Sequence, residues 1–134
     1  IAKNNISSNK NLPLIIGCEE DSYIAKQAKE NVISAGLNKI INIQNSDFRK
    51  VSIPERNGII VCNPPYGKRL GIDEDLEKLY SDLSDFLKTN ASGWQLWVLS
   101  GNPRLTRALR MKASKKIPVS NGGIDCRWLK YLIK

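Results

Sequence analysis

Gly58-Ile59-Ile60-Val61-Cys62-Asn63-Pro64-Pro65-Tyr66 is the stretch on which the reading of this chain turns. The apolar residues after the glycine read as a short strand. Two consecutive prolines stop it, because each lacks a backbone N–H and fixes φ. An amide and an aromatic side chain are therefore held at a strand's exit. In an open α/β sheet that exit is where ligands bind.

Upstream, Leu12 to Cys18 reads as a strand buried on both faces. A helix is expected from Ser22 to Ala35, with Ile24, Ala25, Ala28, Val32 and Ala35 spaced by threes and fours, Asp21 as its cap and Gly36 as its stop. Ile40 to Gln44 reads as a second strand, ending in the turn Asn45-Ser46-Asp47, and a loop with Pro54 leads to the strand at Gly58.

Downstream, Asp73 to about Lys88 carries Leu76, Leu79, Tyr80, Leu83, Phe86 and Leu87 on one helical stripe. Trp94 to Ser100 is a fourth strand, followed by a short basic helix from Pro103 to Met111 with proline in its first turn. A hairpin closes the pattern: Lys115 to Val119, a turn at Asn121-Gly122-Gly123, then Ile124 to Ile133. Strands alternating with helices imply an α/β fold with a mostly parallel, doubly wound sheet and a C-terminal antiparallel hairpin. Residues 1–11 read as a polar lead-in or the remnant of an insertion, and residues 12–134 as the folded domain.

The composition excludes several chemistries. The chain has no histidine, which removes Ser-His-Asp and Cys-His nucleophile pairs and imidazole metal ligands from this stretch. Cys18, Cys62 and Cys126 are far apart, so no Cys-x-x-Cys pair is present to hold zinc. Cys18 and Cys62 end apolar runs and read as small buried residues. No metal is expected. No apolar run is long enough to span a bilayer, and the first residues lack the basic start and apolar block of a signal peptide. A cytoplasmic protein is expected. Lys and Arg outnumber Asp and Glu by 21 to 13, giving a net charge of +8. Such a surplus suits a polyanionic partner and equally a solubility-tuned surface. Oligomeric state is not legible.

Asn63-Pro64-Pro65-Tyr66 carries the chemistry. The tetrapeptide would occur by chance in roughly one chain in a thousand of this length, and here it sits where a ligand site belongs. The prolines direct the carbonyl that follows Asn63 outward. With the Asn63 side-chain oxygen, that carbonyl supplies two acceptors aimed at one point. An aromatic amino group has two N–H donors and a lone pair delocalised into its ring. Two fixed acceptors hold both hydrogens and favour a pyramidal nitrogen, freeing the lone pair for attack. Tyr66 offers a face for the base, a contact worth ~1–3 kcal/mol. No strong general base is needed, which agrees with a chain lacking histidine. The plainer reading is a proline-rich turn with a surface tyrosine.

Asn63-Pro64-Pro65-Tyr66-Gly67-Lys68-Arg69-Leu70-Gly71 resembles the extended motif of the THUMP-associated RNA guanine-N2 methyltransferases. Gly17-Cys18-Glu19-Glu20-Asp21, Trp94 to Asn102, and Asn121 to Arg127 resemble the bacterial large-subunit (23S) ribosomal RNA branch. The resemblance implies a Rossmann-like methyltransferase fold, S-adenosyl-L-methionine as cofactor, and methyl transfer to a guanine 2-amino group in ribosomal RNA. It implies that Glu19 accepts hydrogen bonds from the cofactor's ribose hydroxyls, although the family usually has Asp there, and that Asp47 holds the adenine amino group. By spacing alone, Glu19 reads equally as a loop acid and Asp47 as a turn cap. Asn63, Pro64, Pro65 and Tyr66 take the catalytic and base-stacking roles, with Asn63 close to the methylsulfonium. Lys68 and Arg69 are placed to hold phosphates beside the target base, or form a solvated basic turn. Arg104 and Arg107 belong to a longer basic run with Arg110, Lys112, Lys115 and Lys116, which reads as an RNA contact or a wet face.

One family feature is missing. An adenosylmethionine fold opens with a strand and an acidic, glycine-rich turn, and no Gly-x-Gly pattern occurs here. In the family that strand lies at the sheet's centre. The chain is therefore expected to be a C-terminal part of a catalytic domain, with an incomplete, split or partner-repaired sheet and weak cofactor binding by itself. Two other readings stand beside the main one: an adenine-N6 methyltransferase acting on DNA or RNA, and an inactive RNA-binding fragment.

Overall fold

The computed structural model describes residues 12–66 and 73–134, which fall into two compact units meeting between Ser52 and Ile53. The lead-in and the Gly67–Gly71 continuation, with Lys68 and Arg69, lie outside the described residues.

The first unit is strand, helix, strand. β1 (Ile15–Glu19) and β2 (Ile41–Asn45) pair in parallel, from Ile15 opposite Ile41 to Glu19 opposite Asn45. The crossover helix α1 (Ser22–Ser34) packs on both strands. Asp21 caps it as expected, its Oδ1 accepting from the N–H groups of Tyr23 and Ile24 at 2.9 and 3.0 Å. Gly36 ends it in the left-handed region (φ 73°), and the Leu37 N–H bonds back to the Val32 carbonyl, a Schellman closure. β1 is not buried on both faces, as its apolar run suggested: Leu14, Ile15 and Cys18 are exposed. Among the described residues β1 has one strand neighbour and one covering helix, too little to enclose both faces.

The second unit holds β3 (Ile59–Cys62), α2 (Asp73–Asn90), β4 (Gln95–Ser100), α3 (Pro103–Arg107), β5 (Lys115–Asn121) and β6 (Ile124–Leu132). Its sheet order is β3-β4-β6-β5, with β3 parallel to β4 and the other two pairings antiparallel. Leu76, Tyr80 and Leu87 of α2 are buried in one cluster with Leu96, Val98, Leu105, Leu109, Leu129, Tyr131 and Ile133. Ser84 lies within this helix's buried stripe and stays satisfied, its hydroxyl donating to the Leu109 carbonyl at 2.5 Å.

Several boundaries moved, and at two of them backbone conformation gives the reason. α3 ends at Arg107 rather than Met111, because Arg110 adopts φ 51°, which no right-handed helix accepts. The hairpin ladder runs on to Asn121, and Gly122 and Gly123, at φ 59° and 80°, make the two-residue turn that matches strand twist.

Among the described residues the strands form two sheets, β1-β2 within the first unit and β3-β4-β6-β5 within the second.

Candidate active site

β3 delivers Asn63 to Tyr66 just beyond its last paired residue, Cys62 opposite Val98. The prolines end pairing there and the chain turns off the sheet. Asn63 is exposed, not folded inward against hydrocarbon. Among the described residues no hydrogen bond occupies its side chain or the Pro64 carbonyl. Two acceptors are therefore available at the strand tip.

The rest of the loop is anchored. The Pro65 carbonyl accepts from the Tyr80 hydroxyl of α2 at 3.0 Å. Burial pushes the Tyr80 phenol above its ordinary range, with smaller contributions from Cys62, Tyr66 and Tyr131, so it remains a donor at neutral pH. The half-buried Tyr66 ring packs on the core, and its hydroxyl accepts from Asn121 Nδ2 at 3.2 Å. Beneath the ring lies Gly101, where an added Cβ would stand 2.7 Å from Tyr66 Cδ2. Cys62, next to Asn63, is half-buried, and burial pushes its thiol up to about 12. It is neutral and no nucleophile at physiological pH.

Glu19 and Asp47 belong to the other unit, at the carboxyl end of the β1-β2 pair. Glu19 Oε1 accepts from the Asp21 N–H at 2.9 Å, and its backbone carbonyl is held by the Ser46 N–H and Asn45 Nδ2. Asp47 does what a turn cap does. It caps the 3-10 turn Phe48–Lys50 through the Arg49 N–H and pairs with the Arg49 guanidinium at 2.8 Å. Cys18 is exposed rather than buried, its sulfur donating to the Ser46 carbonyl at 3.0 Å. Desolvation raises its thiol pKa, and the carboxylates of Asp47, Glu19 and Glu20 raise it further. These acids therefore share one neighbourhood.

The basic run divides. Arg104 pairs with Glu77 at 2.9 Å, and Arg110 pairs with Asp85. Arg107 has no ion pair or side-chain hydrogen bond among the described residues. The described residues contain no group of three or more His, Cys, Asp or Glu arranged to hold a metal, and no helix long and apolar enough to cross a membrane.

Sequence reasoning assigned no site role to Tyr80, Gly101 or Asn121. Tyr80 reads as a core residue, Gly101 as a strand end and Asn121 as a turn residue. Only the tertiary fold brings them to the loop.

With this geometry in place, comparison with known proteins decides the family. The sequence profile of UPF0020, the RMKL-like methyltransferase domain, matches residues 2–130. The chain belongs to this family. It is 36% identical over 124 residues to the ribosomal RNA large subunit methyltransferase K/L of Syntrophotalea carbinolica, covering 90% of this chain and 17% of that protein. This RMKL-like domain spans less than a third of the length of the curated relatives it matches. Its fold matches SMU.472, provisionally a methyltransferase and crystallised with S-adenosylhomocysteine, at a TM-score of 0.82 and 22% identity, over 90% of this chain and 32% of that one. A Listeria monocytogenes protein described as a predicted N6-adenine-specific DNA methylase superposes with a TM-score of 0.74 at 27% identity, over 90% of this chain and 30% of that one. The Rossmann-like methyltransferase fold is thereby established.

Proposed function

We propose that the protein carrying this domain transfers a methyl group from S-adenosyl-L-methionine to the 2-amino group of a guanine in large-subunit ribosomal RNA. The observation that carries this reading is the pair of unoccupied acceptors at the Asn63-Pro64 strand tip, braced from behind by Tyr80 on Pro65 and Asn121 on Tyr66. Family membership supports methyl transfer, and the names of the ribosomal RNA relatives support the substrate. The cofactor supplies an electrophilic methyl group. The free Oε2 of Glu19 suits ribose hydroxyls, and Asp47 Oδ2 suits an adenine amino group once it shares its bond to Arg49.

Asn63 and the Pro64 carbonyl accept the two N–H hydrogens of the target amine, so its lone pair faces the methyl group. Tyr66 stacks the base. The nitrogen becomes cationic on methylation and then releases a proton to water, so no residue has to act as a strong base. Rate comes from positioning in a water-poor pocket. The target base is unpaired or flipped out, since a stacked guanine cannot reach the loop.

The cofactor's glycine-rich loop is supplied by a segment outside residues 1–134. Supporting this are the strand edges of β1 and β3 that no described residue pairs, and the apolar Ile59 and Val61 of β3, 61% and 64% exposed.

Asn63→Ala in the complete protein that carries this domain is expected to abolish transfer while leaving cofactor affinity largely intact. Turnover assays with tritiated cofactor and calorimetry check both, and near-normal turnover would remove Asn63 from its role. The Listeria relative favours one second reading, an adenine-N6 acceptor. Nucleoside mass spectrometry of RNA and DNA from cells lacking the gene separates the two: loss of N2-methylguanosine supports guanine, and loss of N6-methyladenine supports adenine.

A further inference from the structure

We infer that a groove on the hairpin side of the second unit holds the backbone of single-stranded RNA next to the target base. This inference rests on the RNA reading above and assigns it a path. The groove is open, about 1230 Å³ in volume, and walled by the α3 segment on one side and by β5 and β6 on the other.

Its charge is one-sided. Arg107, Lys112, Lys116 and Arg127 line it against a single carboxylate, Asp125. All four cations are exposed, and none has an ion pair or side-chain hydrogen bond among the described residues. The neighbouring Arg104 and Arg110, by contrast, are tied to Glu77 and Asp85. The basic run thus splits into arginines that brace α2 and cations that face open space. Four like charges gathered with no internal partner repel one another, and a polyanion relieves that repulsion.

The arrangement suits a strand. Pro118 pairs with Arg127 and Lys116 pairs with Leu129, so Lys116 and Arg127 are diagonal neighbours on one face, roughly 7–8 Å apart by sheet geometry. Arg107 and Lys112 stand across the groove, and its floor includes the apolar Pro118 and Leu129. Cations on both walls hold phosphates, and the apolar floor accepts ribose or base faces.

The groove also begins at the catalytic loop. Gly101 lies in its lining and under the Tyr66 ring. Ser120, also in the lining, precedes the Asn121 that holds the Tyr66 hydroxyl. A base stacked on Tyr66 therefore has its neighbouring phosphates directed into the groove.

The test uses the complete protein that carries this domain and guanine-containing single-stranded RNA oligonucleotides of large-subunit ribosomal RNA sequence. In Lys116→Gln/Arg127→Gln, log affinity against log salt is expected to flatten by roughly 0.7 for each phosphate contact removed. KM for RNA should rise tenfold or more, with kcat and cofactor affinity unchanged. Lys112→Gln/Lys116→Gln should behave alike, which guards against a folding defect in the first variant, and exposed Lys29→Gln should change nothing. An unchanged salt slope and KM in both double variants would overturn the assignment. So would loss of binding to a protein partner with RNA binding intact. If the wild type binds the oligonucleotides but methylates no guanine, while the slope still flattens, the groove stands and the guanine reading fails.

Discussion

Tyr66 is held at three points: its ring on the core, its hydroxyl by Asn121, and its face by Gly101. The tightest is Gly101, where even a methyl group would stand 2.7 to 3.1 Å from three ring carbons. A rigid ring cannot absorb that by bending, so Gly101→Ala forces the whole side chain away and strains the bond from Asn121. The expected result is a fall in kcat on the order of 10–100-fold, the scale that an ångström of misplacement produces, with cofactor affinity unchanged. Steady-state kinetics with calorimetry decides it, and a kcat within twofold of wild type would show that the ring's position is unimportant. The strand tip itself was legible in the sequence, because two prolines after an apolar run leave the backbone few alternatives. Its braces were not. Tyr80 and Asn121 lie 15 and 55 residues from their partners, and no local pattern announces a contact made by packing. Asp47 marks the same limit from the other side: its spacing suits a turn cap and a cofactor ligand alike, and the cap that the structure shows leaves the second role to experiment.

At the scale of elements, the β5-β6 hairpin is both the best-specified piece and a support for the site. Asn121-Gly122-Gly123 announces a two-residue turn, and both glycines adopt positive φ. An added Cβ at Gly122 meets nothing within 4 Å, so Gly122→Ala isolates backbone strain from any clash. A stability loss of about 1–2 kcal/mol is expected, measured as a shift in the urea midpoint, and no loss would mean that the turn is not of this type. Elements that failed in the reading failed for physical reasons. Ala108, Leu109 and Met111 continue the apolar spacing of α3, yet Arg110 breaks the helix with a left-handed residue. β1 has the continuous apolar run of a central strand but only one partner among the described residues. Periodicity reports what a segment is suited to, and the neighbours decide what it becomes.

For the molecule as a whole, burial is uneven. Among the described residues, every buried apolar side chain except Ala25 belongs to residues 53–134, so the packed core lies in the second unit. That core encloses groups that resist ionisation. Burial pushes the Cys62 thiol from 9.0 up to about 12, and burial first, then nearby ionisable groups, raises Tyr80 and Tyr131 above 10.0. Each folded value lies above its unfolded value, so the stabilisation is complete below about pH 9 and is lost as pH rises towards 12. Between pH 9 and 10 the unfolded chain releases the Cys62 proton while the folded one keeps it. Stability should then fall with a slope approaching ~1.4 kcal/mol per pH unit, steepening above pH 10 as the tyrosines join. Urea titrations at pH 8, 9, 9.5 and 10, followed by tryptophan fluorescence, measure it. Cys62→Val removes the titrating group at similar volume, so its stability should stay flatter than wild type from pH 9 to 10. If the two profiles run parallel across that interval, the Cys62 thiol is not shielded and the core is wetter around β3 than its packing indicates.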